Sequence, residues 1–165
     1  MRTYKFLRDG RVGPFTGFRW EAGEWVETGG PVLCDRGVHA CRPGDLPFWL
    51  NDELWEIELG GEVAEGERKL VAERGRLVRR LEGWNSEVAQ KLADTSAARA
   101  RALSDARSGD PIARAYAEDA ERRAGQGRAY VATYIAAVAA EHAGGLEGRD
   151  AERAAQAAWF DELLG

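Results

Sequence analysis

The feature that most constrains this chain is a one-sided distribution of alanine. Residues 1–84 hold four alanines, Ala22, Ala40, Ala64 and Ala72, whereas residues 85–165 hold 24. Five of the six tryptophans lie in the first part. Alanine loses no side-chain entropy in a helix, while tryptophan and β-branched residues suit the pleated surface of a sheet. The composition therefore predicts an α+β fold: a small, twisted, mostly antiparallel sheet over 1–84, with an Ala-rich helical region over 85–165 packing on it. At 165 residues the chain can bury a core without disulfide or metal staples.

Short apolar runs bounded by Gly, Pro or Asp predict strands over Thr3–Leu7, Val32–Cys34, Val38–Cys41, Leu54–Leu59, Lys69–Glu73 and Arg76–Leu81. Their spacing is too close for βαβ units. Over 53–59 the alternation is regular, with Trp55, Ile57 and Leu59 on one face and Glu56 and Glu58 on the other. A single helical turn is expected over Asp45–Leu50, with Asp45 as cap and Pro47 near its start.

The second part carries helix punctuation. Asn85 or Ser86 caps a helix running to about Ser108, Gly109 breaks it, and Asp110-Pro111 starts another. Gly125 and Gly127 split or bend this second helical stretch, and Gly144-Gly145 end it. Tyr130, Tyr134 and Val138, beside Val131 and Ile135, recur at helical spacing and predict a buried stripe. Asp150 is expected to cap a last helix whose apolar face is Ala151, Ala155, Trp159, Phe160 and Leu164.

The net charge of -5 argues against general nucleic-acid binding, which rests on Lys and Arg neutralising phosphates. The basic run Arg74–Arg80 reads as the solvated face of a strand. Charges interrupt the first residues before any leader-like apolar run forms, and no stretch is apolar enough for a membrane span, so a cytoplasmic protein with cysteines as thiols is expected.

Chemistry concentrates in Cys34-Asp35-Arg36-Gly37-Val38-His39-Ala40-Cys41, which holds both cysteines and one of two histidines. His39 and Cys41 share a strand face, about 6 to 7 Å apart at their Cα atoms. Cys34, His39 and Cys41 supply three of the four ligands of a small structural zinc site, at a spacing that matches no standard finger. The alternative makes the cysteines small buried hydrophobes and His39 a structural histidine, or one that orients a polar ligand in a cleft. A Cys41–His39 catalytic dyad is disfavoured, because same-strand neighbours stand too far apart for a hydrogen bond. Glu56 and Glu58 read as a carboxylate pair or as the wet face of a half-exposed strand. Tyr4 and Lys5 alternate, so one faces the core and the other solvent or a cleft. His142 suits a helix C-terminus, and Trp20, Trp25, Trp49 and Trp55 suit a core in which one ring lines a pocket.

Tyr4-Lys5-Phe6, Trp20 with Gly23 and Trp25, the Cys34 to Cys41 run, and Glu56-Ile57-Glu58-Leu59-x-Gly61 together resemble a domain of unknown function in phage-related and actinobacterial proteins. Its hallmark is a cysteine followed by Gly-Phe-His-Ala-Cys, with Val38 here in the aromatic position. The likeness covers about residues 3 to 84, and the tail from Ala151 to Phe160 resembles the closing helix of actinobacterial members. That family carries no established activity. A second resemblance, to ADP-ribosyltransferase-type folds, rests on the order Gly37-Val38-His39, the turn at Asp45–Leu50 and the strand Leu54–Leu59. The run from Arg76 to Trp84 is similar to the rifamycin-modifying members. The first-strand Arg or His and the Ser-Thr-Ser segment of those enzymes have no counterpart, and Glu58 precedes the position of their terminal glutamate. This resemblance implies a small-ligand or nucleotide pocket with NAD as cofactor, His39, Glu58 and Lys5 as catalytic residues, and Tyr4 and Trp55 as cofactor-binding residues. Against it stands a non-catalytic interaction module whose helices expose a face to a protein partner or a second copy.

Overall fold

The computed structural model describes residues 2–33 and 35–165. The order is β1 (Thr3–Leu7), β2 (Val26–Glu27), β3 (Val38–Ala40), a 3-10 helix (Pro43–Phe48), β4 (Glu53–Glu65), β5 (Leu70–Arg80), α1 (Ser86–Asp105), α2 (Pro111–Gly125), α3 (Ala129–Ala158) and α4 (Asp161–Leu164). The fold class is α+β. Two compact units meet in sequence at Trp84 and Asn85.

In the first unit the sheet is antiparallel and runs β1-β4-β5-β2, with β3 also on β5. β2 pairs with Arg74 and Gly75 of β5, and β3 with its beginning at Leu70–Ala72. A bridge between Tyr4 and Cys41, with N–H···O distances of 2.9 and 2.8 Å, then links the end of β3 back to β1. The pairing thus returns to its starting strand, and the sheet curls into a ring. Leu7, Trp20, Val38, Ala40, Trp55, Ile57 and Leu77 fill its inside. Outside, Phe6 meets Trp84 edge-on at 5.2 Å, and the Trp84 indole donates to the Asn51 carbonyl.

Glycine explains where the strands depart from the expected limits. The alternation predicts an end at Leu59, yet β4 continues across a bulge between Gly60 and Val63, where Gly61 takes a φ of 74°. Lys69–Glu73 and Arg76–Leu81 are one strand, because Gly75 leaves room for Val38: a Cβ there would stand 2.7 Å from the Val38 Cγ1. Val32 forms no strand; it pairs with Arg36 in its own turn, and Cys34 lies outside the described residues. The 3-10 helix starts at Pro43, so Asp45 sits in its first turn and bonds Arg42 rather than capping.

In the second unit, Asn85 caps α1 by accepting from the amides of Glu87 and Val88, and Asp110 caps α2 through Ile112 and Ala113. Asn85→Ala is expected to cost about 1 kcal/mol in urea unfolding of the full chain. The helices meet over Ala93, Ala97, Ala100, Ala120, Ala124, Ala132, Ile135, Ala136 and Ala139. Small side chains of this kind let helix axes approach closely.

Two helical expectations are corrected. Tyr130 and Tyr134 are 48% and 46% exposed, and the buried stripe of α3 is the alanine row beside them. Gly144 and Gly145 do interrupt the helix, but it resumes before Asp150, which lies inside the helix and caps nothing. The buried face of that last segment is polar, with Glu152, Arg153 and Gln156 covered and Ala151 and Ala155 exposed, while Phe160, just beyond it, is buried as expected.

Candidate functional site

Strand alternation puts Lys5 on the same face of β1 as Leu7, opposite Trp55 of β4. Lys5 therefore points into the curled sheet. Its ammonium donates to the His39 carbonyl at 2.7 Å and lies 5.2 Å from the centre of the Trp20 ring. Among the described residues no carboxylate pairs with it. Burial lowers its pKa to about 8, opposed by the neighbouring Cys41 sulfur. An interior cation held only by a carbonyl and an aromatic face is unusual, since buried charges ordinarily have a counter-ion.

Trp55 stands on the same interior face, its indole N–H donating to the Glu53 carboxylate at 2.8 Å. The other oxygen of Glu53 accepts from the Gly10 amide at 3.0 Å. Sequence reasoning misses this buried acid, because Glu53 at the head of an alternating strand looks like a solvent-facing residue. Its burial beside Trp55 comes from sharing a face with that ring.

The remaining candidates lie on the other side of the sheet. Glu58 is exposed and paired with Arg76 at 2.7 Å, and Glu56 with Arg79 at 2.7 Å. The basic run on β5 is thus answered by the carboxylates of β4, while Arg74 and Arg76 flank the Trp25 ring at 4.9 and 5.0 Å. His39 alternates with Val38 and Ala40, so its half-buried ring faces away from Lys5 although its carbonyl receives the ammonium. Burial, and then the charges of Lys5 and Lys69, hold its pKa below the ordinary value against a backbone hydrogen bond at Gly37. The ring is neutral at pH 7. Gly37 fixes this strand: with a φ of 134°, a Cβ there would fall 2.3 Å from Val71. Tyr4 is buried beside Cys41, whose thiol donates to the Tyr4 carbonyl at 3.3 Å.

Burial pushes the Cys41 thiol up to about 12, so it is not a thiolate nucleophile at neutral pH. Among the described residues no group of three His, Cys, Asp or Glu side chains could hold a metal ion. The structure thus brings Lys5 and Trp55 to the interior and leaves Tyr4, His39 and Glu58 on the opposite face.

A cleft of about 230 Å³ opens at the α1–α2 turn, lined by Arg101, Ser104, Arg107, Asp110 and Arg114 among others. Its polar groups largely satisfy one another. Arg101 forks onto Glu121 at 2.8 and 2.6 Å, Arg107 donates to the Ala143 carbonyl, and Asp110 holds both its cap and His142 at 2.8 Å. No described helix is long and apolar enough to cross a membrane.

The chain matches no protein-family model, no curated protein and no solved structure. Its own residues therefore carry the functional inference.

Proposed function

We propose that the β-rich unit binds a small anionic ligand, with the Lys5 ammonium as the recognition group and the Trp20 and Trp55 rings as its apolar walls. The observation that carries this reading is the interior cation without a carboxylate partner. An anion arriving there supplies the missing counter-charge in a site where electrostatic attraction is weakly screened. NAD and ADP-ribose are the first ligands to test. Their phosphates suit the ammonium. The transferase chemistry of the resemblance finds less support, because Glu58 is engaged by Arg76 on the opposite face. The reading therefore stops at binding. Titrating the full chain with NAD and ADP-ribose should raise its unfolding midpoint saturably, by about 2.7 kcal/mol of stability at a hundredfold excess over Kd. Lys5→Met should remove that response. An unchanged midpoint at millimolar concentrations of both ligands would refute the reading.

A second reading, a protein-interaction module, draws on Tyr130 and Tyr134, exposed one helical turn apart on α3. It predicts a mass in solution that rises with concentration and reverts in Tyr130→Ser/Tyr134→Ser. A mass that stays constant across a hundredfold dilution would count against it.

A further inference from the structure

We infer that the cleft at the α1–α2 turn binds a small tetrahedral oxyanion, a phosphate ion or the phosphate end of a monoester, at a site separate from Lys5 and contained in the helical unit. Two of its side chains stand outside the pairing described above. Ser104 lines the cleft although it is only 7% exposed, and its hydroxyl makes no hydrogen bond to any described residue. Covered hydroxyls are ordinarily paired, and in a helix they commonly turn back onto the carbonyl one turn earlier, as Thr95 does with Lys91 at 2.7 Å. Ser104 does not. Nor is its oxygen one of the sealed polar atoms of the chain, so it opens onto the cleft. Arg114, in the first turns of α2, lines the same opening and has no carboxylate within ion-pair distance among the described residues.

The charges around the opening are divided between two sides. On one side the fork with Glu121, and then the charges of Asp105 and Glu118, hold the Arg101 pKa up. Asp110 is occupied by the amides of Ile112 and Ala113 and by His142. On the other side Arg107 gives its guanidinium to a neutral acceptor, the Ala143 carbonyl, so the positive charges of Arg107 and Arg114 are both left without a carboxylate. A tetrahedral oxyanion supplies what is missing there. Its oxygens accept from the planar fork of Arg114 and from the open Ser104 hydroxyl, and its charge answers both guanidinium groups.

Phosphate stabilises many proteins merely by exclusion from their surface, so the test reads binding rather than unfolding. Inorganic phosphate is titrated against the full chain at constant ionic strength, balanced with chloride and followed by phosphorus NMR line width, with phosphoserine as the monoester probe. One saturable site with a Kd of about 1 mM or tighter is expected. Arg114→Gln should weaken it about tenfold or more, since hydrogen bonds between charged groups are the strong ones, and Ser104→Ala about fivefold. Neither change threatens the fold: Arg114 is exposed, and Ser104 loses no bond and gains helix propensity. Lys5→Met should leave phosphate binding unchanged, which separates this site from the interior one proposed above; loss of binding there would overturn the cleft. Tighter binding of phosphoserine than of phosphate assigns the site to monoesters, and equal or weaker binding assigns it to the free ion. Absence of saturation overturns the inference. So does an affinity that Ser104→Ala leaves untouched, because the site then reduces to exposed arginines attracting any anion.

Discussion

Replacing Lys5 by methionine should raise the unfolding midpoint of the β-rich unit at pH 7 by about 10 °C. Proton binding sets the sign. The pKa of Lys5 falls from 10.5 to about 8 on folding. Between those values the unfolded chain holds a proton that the native state has released, so stability rises with pH across that window. Below pH 8 both states are charged, and the whole cost of the buried ammonium is present. A fall of this size corresponds to at most about 3 kcal/mol. Methionine keeps the apolar stem and forfeits the hydrogen bond to the His39 carbonyl, a loss of about 1 kcal/mol that leaves a net gain near 2. For a unit of this length each kcal/mol shifts the midpoint by about 4–8 °C. The advantage of the variant should fade as the pH climbs through 8 and reverse above about 10.5, where only the lost hydrogen bond, about 1 kcal/mol, remains. Scanning calorimetry at pH 7 and pH 10.5 measures both parts. A variant less stable than the parent at pH 7 would mean that the carbonyl and the indole outweigh desolvation, and the idea of an uncompensated cation would fall.

Much of this architecture is legible in the sequence because it depends on local chemistry. Asn85, Asp110 and Pro111 start helices by satisfying amides that any helix leaves open, and the alanine excess marks the helical unit with no knowledge of its packing. β1 and the alternation of Trp55 and Ile57 with Glu56 and Glu58 are equally clear, because side chains on a strand must alternate. The features that sequence reasoning misplaces depend on distant partners. Gly60 and Gly75 look like strand breaks until Val38 and Arg74 are seen filling the space their missing side chains leave. Tyr130 and Tyr134 have the spacing of a core stripe, but alanines win that place because they let the helices approach more closely. At the site, the motif points to His39 and Cys41, whereas the unusual electrostatics belong to Lys5. Sequence alternation leaves open whether Tyr4 or Lys5 faces the interior; Lys5 points inward, and Tyr4 is nonetheless buried on the opposite side of a sheet that curls on itself. Only the closing bridge between Tyr4 and Cys41 shows that β1 has an inside.

Glu152→Ala should cost the helical unit about 3–4 kcal/mol, more than any exposed ion pair in the chain. Glu152 is buried on α3 and accepts from Arg99 Nε and Nη2 at 2.7 and 2.8 Å and from Gln156 Nε2 at 2.6 Å. Gln156, itself fully buried, also donates to the Thr133 carbonyl at 3.0 Å and accepts from Arg153 at 2.8 Å. One carboxylate thus anchors a network that ties α1 to both segments of α3. Removing it leaves the Arg99 guanidinium without its counter-ion and a buried amide short of an acceptor, and breaking one side of a covered ion pair costs far more than the intact pair contributes. Glu152→Gln should fall between, because it retains one acceptor oxygen and loses the charge. The control is Glu121→Ala, whose fork with Arg101 has the same chemistry and similar distances but lies on the surface; there the cost should stay below about 1 kcal/mol and shrink further in salt. Urea unfolding followed by helical circular dichroism separates the three variants. Equal losses for Glu152→Ala and Glu121→Ala would show that burial adds nothing to the ion pair at Glu152.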